Sequence, residues 1–262
     1  MKQAGVFCAV KKNGETYYRS SFTFRRKHIS LGSFGNANRA NKAYRDALML
    51  SRSTLSIADY DPKKTALSFE KYVSIVNFRD NDVYFSNPIY LQKRYFEYYF
   101  TKTLHYKFDI DDLFYYAEHK ISRRGNHLFV ADWGTQVNLL SRYGIKSHAV
   151  KDRDYRFINR DDTDYRYENI DVINPYYGVH KIEKNGKTLY KASIHVNGMI
   201  VIGTYEDPLI AAIAYNKAAD LLQKQIGRQY RQNYIESLSP KEYAQLYSDL
   251  KLPEKICKQK QN

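Results

Sequence analysis

A stretch of sequence occurs twice in this chain of 262 residues, once at 5–48 and again at 178–222. The first copy begins GVFCAVKKNG and the second begins GVHKIEKNG. With a single one-residue gap, the copies align at Asn13/Asn185, Gly14/Gly186, Tyr18/Tyr190, Phe22/Ile194, Phe24/Val196, Leu31/Ile202, Gly32/Gly203, Phe34/Tyr205, Ala40/Ala211, Ala43/Ala214 and Tyr44/Tyr215. A repeat of this kind requires the same supersecondary unit at two points of the fold. It therefore constrains the architecture more than any other feature.

Each copy predicts a strand, a turn, a strand, a turn, a strand and a helix. Asn-Gly is a strong hairpin signal because both turn residues adopt positive φ. The next strand alternates between two faces, and the period then becomes helical. The apolar faces are Tyr18, Phe22 and Phe24, and Tyr190, Ala192, Ile194 and Val196; the polar faces are Arg19, Ser21, Thr23 and Arg25, and Lys191, Ser193, His195 and Asn197. Each copy is therefore predicted to be a three-stranded antiparallel sheet with a helix on one face and an exposed polar face.

The residues of the second copy carry a resemblance to a known family. The fragments GV, YKASIH, IGTY and AAIAYNKAA, in this order, resemble the apetala-two/ethylene-response-factor DNA-binding domain, and the first copy resembles it more loosely. The resemblance implies that the exposed sheet face lies in the DNA major groove. The positions it implies are Phe7, Ser21, Thr23, His28 and Ser30, and His180, Ser193, His195, Met199 and Val201. The family favours Arg and Trp at several of these positions, so its base preference does not carry over.

Charge and composition favour the same kind of partner. Lys and Arg number 42 against 28 Asp and Glu, a formal charge of +14, which favours polyanions. The 26 Tyr and 13 Phe suit a surface that stacks on nucleic acid, although they could equally fill the core. Ser, Thr, His and Asn, with Asn197 among them, are predicted to read base edges. The predicted phosphate contacts are Lys11, Lys12, Arg19, Arg25, Arg26, Lys181, Lys187 and Lys191.

The insert between the copies is predicted to be a folded middle domain. The run SNPIYLQKRYFEYYF predicts a helix with Asn87 as N-cap and Pro88 at its first position. The run DIDDLFYYAEHK predicts a second helix with acidic residues in its first turn. The run KISRRGNHLFV predicts a hairpin with Gly125 and Asn126 at the turn.

The stretch RFINRDDTDYRYENI, 156–170, is similar to a segment of HNH endonucleases. The matching positions are Ile158, Asn159, Asp161, Asp164, Arg166, Glu168 and Asn169. The resemblance implies a ββα nuclease fold, in which a His activates water and a divalent ion stabilises the leaving phosphate. Phe157 stands at the His position and Arg156 at that of the metal-side Asp, and the upstream run HLFVADWGTQV lacks the usual His-Arg pair. The middle domain is therefore predicted to be inactive, with its surviving residues bracing the turn.

The remaining features predict no further chemistry. His105, His119, His127 and His148 have no metal-ligand spacing, and no phosphate-binding glycine loop occurs, so neither metal nor cofactor is expected. Cys8 and Cys257 form no disulfide framework, which favours a reducing cytosol. Signal peptide and membrane span are not expected. The tail contains a capping box at Ser239, and its basic end from Lys251 is predicted to be mobile.

The predicted organisation is α+β: two sheet-and-helix modules flanking a mixed α/β, HNH-like (ββα) middle domain. The predicted boundaries are 1–55, 56–172, 173–235 and 236–262. The predicted function is sequence-specific binding of double-stranded DNA by a cytoplasmic, nucleoid-associated regulator of bacterial or phage transcription, for which a monomer suffices. One alternative is an active, homing-like HNH endonuclease with a displaced base such as His148 or His127. Another is an arm-site or RNA-binding accessory factor without regulatory output.

Overall fold

A computed structural model describes residues 3–132, 134–146 and 149–258. The chain divides into two compact units, one formed by 1–137 with 159–169 and the other by 138–158 with 170–262. Five small antiparallel sheets of two or three strands and six α-helices lie in the described residues, so the predicted mixed α+β class is confirmed. The division into the four predicted domains stays a prediction.

The first repeat copy forms a sheet-and-helix module in the first unit. Its elements are β1 (Val6–Val10), β2 (Thr16–Phe24), β3 (Lys27–Phe34) and α1 (Ala37–Arg52). The sheet order is β1-β2-β3, as the repeat predicts. The Asn36 side chain accepts a hydrogen bond from the Arg39 amide and caps α1. Ala40, Ala43 and Ala47 are fully buried, and these small side chains allow the helix to lie close to the sheet.

The rest of the first unit contains two further three-stranded sheets. Its elements are α2 (Phe69–Asn81), β4 (Ile89–Leu91), β5 (Tyr95–Tyr99), β6 (His105–Asp109), α3 (Leu113–Glu118), β7 (Ile121–Arg124), β8 (His127–Asp132) and β9 (Thr135–Asn138). Strands β4-β5-β6 form one sheet and β7-β8-β9 the other. The short helix α3 and the β7–β8 hairpin confirm two predictions for the insert. Helix α2 was not predicted, although Ser68 caps it by accepting from the Lys71 amide.

The helix predicted after Asn87 is wrong, because this run forms strands β4 and β5. Tyr and Phe favour strands. In β5 the alternate residues Phe96 and Tyr98 are both buried in the core, and this burial favours a strand over a helix. Asn87 caps no helix of its own. Its side-chain amide donates to the carbonyl oxygens of Tyr116 and Ala117, at the C-terminal end of α3.

The second unit contains the second module and a C-terminal extension. Its elements are β10 (Tyr155–Phe157), β11 (Ile170–Val172), β12 (Val179–Lys184), β13 (Lys187–His195), β14 (Met199–Tyr205), α4 (Pro208–Ile226), α5 (Pro240–Asp249) and α6 (Glu254–Cys257). The module sheet has the order β12-β13-β14, and Asp207 caps α4 through the Leu209 amide. The predicted capping box at Ser239 is confirmed. None of the helices in the described residues is long and apolar enough to span a membrane.

The end of the chain differs from its prediction. Helix α6 follows Lys251, and Ile256 is fully buried in the core of the second module. The prediction of a mobile end from Lys251 is therefore wrong as far as Lys258, and the four residues that follow lie outside the described part. The reason is that Ile256 is buried and Leu252 packs against the same core, and this burial stabilises a short helix that the basic run alone would not predict.

The two modules share a backbone detail that the sequence does not display. The central strand shifts register by one residue immediately before Ser21 in one copy and before Ser193 in the other. The Ser21 amide donates to the carbonyl oxygen of Gly5 (3.2 Å), and the Ser193 amide donates to that of Gly178 (2.7 Å). A bulge held by the same hydrogen bond at matching positions indicates one fold used twice.

Candidate nucleic-acid interface

The outward face of the first module is the sheet face opposite α1. Most of its predicted base contacts are exposed there: Phe7, Thr23, His28 and Ser30, with Ser21 half-buried. A shallow depression of about 570 Å³ runs across the face and is lined by Phe7, Cys8, Ala9, Arg19, Ser20, Ser21, His28 and Ser30. The first module therefore brings its predicted contacts together on one accessible surface.

Cations lie at both ends of this face. Lys11 and Lys12 are exposed in the β1–β2 turn, where Lys11 forms an ion pair with Glu15 (2.8 Å). Arg26 is exposed at the β2–β3 turn, and Arg19 is exposed within β2. These positions fit the phosphate contacts that the sequence predicts.

Arg25 is placed differently from its prediction. Its guanidinium donates to the carbonyl oxygens of Phe78 (2.8 Å) and Arg79 (3.0 Å) and pairs with Asp82, so it binds the C-terminal end of α2. Arg25 and Arg26 both have positive φ, 45° and 63°. This tight turn breaks the alternation of β2, and Arg25 consequently leaves the outward row and ties the hairpin tip to α2.

The outward face of the second module is accessible along the β13–β14 hairpin. The exposed predicted contacts there are His195, Asn197, Met199 and Val201. Lys181 and Lys187 are exposed, and Lys191 is half-buried. The tip of this hairpin is also anchored, because the Arg228 guanidinium donates a hydrogen bond to the Val196 carbonyl oxygen (2.6 Å).

The prediction that the whole polar row of the second module is exposed is wrong. Ser193 is only 3% exposed and His180 is half-buried. Together with Lys146, Arg153 and Asp154 they line a pocket of about 280 Å³. The residues responsible are Lys146 and those of the segment 149–154, which lie outside the repeat, so the two copies by themselves do not indicate this burial.

Asp154 is the centre of a polar network that holds this segment. Its carboxylate is 5% exposed and accepts hydrogen bonds from the Arg153 side chain (2.6 and 3.0 Å), the Val150 amide (2.8 Å) and Asn174 Nδ2 (2.9 Å). Asn174 Oδ1 accepts from the Lys181 amide of β12 (2.7 Å). Burial opposes ionisation of Asp154, but these hydrogen bonds outweigh it and lower its pKa to about 2.

Lys146 and His180 are partly dehydrated in the same pocket. Burial lowers the pKa of Lys146 to about 8, although the charge of Asp154 opposes the change. Its ammonium lies 4.7 Å from the centre of the Tyr177 ring, a cation–π distance. Burial also lowers the pKa of His180, whose Nδ1 lies 3.6 Å from Asp154 Oδ1, beyond hydrogen-bond reach. Sequence reasoning missed Lys146 and Asp154, whose only signal is the charge of the surrounding run.

The part of the HNH-like stretch in the first unit forms a closed hydrogen-bonded turn. Asp164 is 1% exposed and accepts two hydrogen bonds from Arg166 (2.7 and 2.8 Å) and one from Asn159 Nδ2 (3.1 Å). Asn169 Nδ2 donates to the Asp164 carbonyl oxygen (2.8 Å), and Arg166 also pairs with Glu168 (2.7 Å). The prediction that these residues brace the turn is confirmed. Burial opposes ionisation of Asp164, yet the hydrogen bonds from Arg166 lower its pKa.

The neighbouring residues of the stretch belong to the second unit. Phe157 is buried in β10, 6.0 Å from the Tyr155 ring, and Arg156 pairs with Asp171 of β11 (2.8 Å). His127, one suggested displaced base, is exposed on β8, and His148, the other, lies outside the described residues. Within 3–132, 134–146 and 149–258, no group of three His, Cys, Asp or Glu residues could hold a metal ion.

The exposed thiols of Cys8 and Cys257 form no disulfide.

In comparisons with known proteins, no family model, no curated protein and no solved structure matches this chain. The resemblances to the two families therefore rest on the quoted residues.

Proposed function

We propose that the protein binds double-stranded DNA in a sequence-specific manner through the outward sheet faces of its two modules and does not cut it. The observation that carries the proposal is the open face of the first module. It combines Thr23, His28 and Ser30, which can hydrogen-bond base edges, with cations at both ends. The major groove is wide enough to admit a β-ribbon, so this face has a suitable shape.

The second module supports the same proposal with different side chains. His195 and Asn197 occupy the accessible part of its face, where the first module has Thr23 and a tight Arg turn. Because the side chains differ, the two modules would read different sequences, and the site would be asymmetric and bipartite. Joining both modules in one chain raises the effective concentration of the second after the first has bound, so a monomer suffices. Regulation of transcription is the role that such binding would serve.

The proposed absence of cleavage rests on the chemistry of the HNH-like stretch. Phe157 offers no proton acceptor to a water molecule, and the charge of Arg156 opposes a divalent ion. Asp164 is neutralised by Arg166 and is buried, so it is not available as a ligand.

Selection from a pool of random duplexes, followed by affinity measurements at several salt concentrations, tests the proposal. If the two faces neutralise about eight phosphates, log affinity falls with log salt at a slope of about −7. Recovery of no sequence preference, or a slope shallower than about −2, would contradict it. Duplex RNA of the selected sequence serves as the competitor, and preference for that RNA would favour the accessory RNA-binding alternative.

A further inference from the structure

We infer that the segment 149–154, with Lys146 close before it, is a fixed part of the DNA-binding face of the second module, that Lys146 contacts a backbone phosphate there, and that Ser193 does not read bases. The inference rests on the proposed function and adds to it a phosphate contact from outside the repeat. It also makes the two modules unequal, since only the first leaves all of its predicted base contacts accessible to the groove.

The segment is held by buried polar contacts. Asp154 accepts from Val150, Arg153 and Asn174, and its own carbonyl oxygen accepts from the amides of Ile173 (2.9 Å) and Asn174 (3.0 Å). Asn174 in turn binds β12 through the Lys181 amide. Moving the segment away would leave several buried polar groups without partners, which is costly. The segment is therefore a built part of the face and not a lid.

This placement removes Ser193 from readout. Its counterpart in the first module, Ser21, remains partly accessible, and the counterpart of half-buried His180 is Phe7, which is 55% exposed. A duplex docked on the second module meets the edge of the segment before it meets Ser193. Base contacts on this module are consequently left to the β13–β14 hairpin.

The ammonium of Lys146 is partly dehydrated in the pocket that it shares with Asp154, whose carboxylate already accepts hydrogen bonds from three other residues, including a guanidinium. The other titratable groups that line the pocket are Arg153, Asp154, Tyr177, His180, His195 and Tyr215. The Arg231 guanidinium lies over the Tyr177 ring at 5.2 Å. A phosphate oxygen at the mouth of the pocket would give Lys146 an anionic partner of its own.

The contact would link DNA binding to protonation. The pKa of Lys146 in the free protein is about 8, and a bound phosphate would raise it. The contribution to affinity is then fully present below pH 8 and is lost as pH rises through the higher pKa of the bound state. A guanidinium at this position would keep its charge throughout.

The test compares duplex affinity and salt slope at pH 7 and pH 9 for the full-length protein, Lys146→Gln, Lys146→Arg and Lys224→Gln. Lys224 is exposed on α4, on the other side of the sheet, and serves as a matched loss of charge. At pH 7, Lys146→Gln is expected to weaken binding about fivefold and to flatten the slope by about one unit. Lys146→Arg should keep the affinity at pH 7 and decline less than the unmodified protein at pH 9. Lys224→Gln should change neither quantity.

The inference is overturned if Lys146→Gln binds the duplex as tightly as the unmodified protein does. It is also overturned if the affinity of Lys146→Arg falls between pH 7 and pH 9 as steeply as that of the unmodified protein. A third outcome that overturns it is a changed sequence preference in Ser193→Ala, which is expected to select the same sequences as the unmodified protein. Failure of the proposed function is distinguishable, because the unmodified protein itself would then show no specific duplex binding.

Discussion

Gly178 lies so close to Tyr215 that a Cβ at position 178 would stand 2.2 Å from Cδ2 of the ring. Gly5 and Tyr44 repeat the relationship in the first module, where the distance would be 2.1 Å. The φ angles of the two glycines are also alike, +68° and +69°. Each module therefore begins its sheet against an aromatic ring of its own helix, in a space that only glycine fits.

Substitution Gly178→Ala is expected to lower the free energy of unfolding by about 3 kcal/mol, because a clash with the ring adds to the cost of a left-handed backbone. Gly186→Ala is the control. The φ angle of Gly186 is +72°, but nothing lies within 4 Å of the added Cβ. We therefore expect Gly186→Ala to lower the free energy of unfolding by only about 1 kcal/mol. Urea denaturation followed by circular dichroism measures both variants, and equal losses would contradict the packing argument.

Substitution Asp164→Asn is expected to destabilise the first unit by about 3 kcal/mol, because it leaves the charge of Arg166 without its buried partner. Asp171→Asn removes the partner of Arg156 from an exposed ion pair, and we expect it to destabilise the protein by less than about 1 kcal/mol. Denaturant midpoints of the two variants provide the comparison. A loss for Asp164→Asn no larger than that for Asp171→Asn would show that the turn does not depend on this pair.

The stability of the second unit is expected to fall in acid through Asp154. Its pKa is about 2 in the folded protein, below the value of about 3.9 for an unfolded chain. A lowered pKa stabilises the fold above pH 4, and this contribution is lost as pH falls from about 4 to 2. Asp154→Asn should flatten the curve of stability against pH in this window, whereas Asp152→Asn, an exposed neighbour, should leave it unchanged. Thermal unfolding at a series of pH values tests this.

The protein is expected not to nick supercoiled DNA in magnesium or manganese. Phe157→His alone should not produce nicking, since the charge of Arg156 still opposes a metal ion. Plasmid relaxation on an agarose gel measures the outcome. Sustained nicking by purified protein, abolished by a substitution within 156–170, would contradict the prediction and favour the alternative of an active HNH endonuclease.

His195→Ala is expected to weaken specific binding by about 1–3 kcal/mol and to relax preference in one half-site only. The separation of the half-sites is expected to be at least about 10 bp, one helical turn. Lys191→Ala should weaken binding to all duplexes about equally and flatten the salt slope by about one unit. Sequence selection repeated with each variant distinguishes the two effects. An unchanged selection for His195→Ala would mean that this face does not read bases.

Local signals were sufficient to predict both modules. The alternation of Phe22 and Phe24 and the buried alanines of the helices depend on residues close in sequence and agree with the structure. The Asn-Gly turn of the second copy also agrees, because Asn185 and Gly186 both have positive φ. In the first copy the prediction is wrong in detail: Gly14 has positive φ but Asn13 does not, and the longer loop 11–15 joins β1 to β2. The braced turn at Asp164 was predictable for the same reason, because its partners lie within five residues of it.

Contacts between distant segments were not predictable in this way. Ser193 has the alternation of an exposed strand residue, but it is buried beside the segment 149–154. The run after Asn87 carries helix-start residues, yet it forms a strand, because Phe96 and Tyr98 of β5 pair with residues of the neighbouring strand β6. In each case the deciding partner lies in a part of the sequence that carries no motif.

The two hairpins that we propose read DNA, β2–β3 and β13–β14, are each anchored by an arginine: Arg25 binds the end of α2, and Arg228 binds the Val196 carbonyl oxygen. Their conformations are therefore set before any duplex arrives, and docking sacrifices little conformational entropy. A stiff hairpin also cannot reshape itself to follow a groove, so the duplex would have to bend or widen to meet it. Base steps that deform easily would then be favoured even where no side chain touches them.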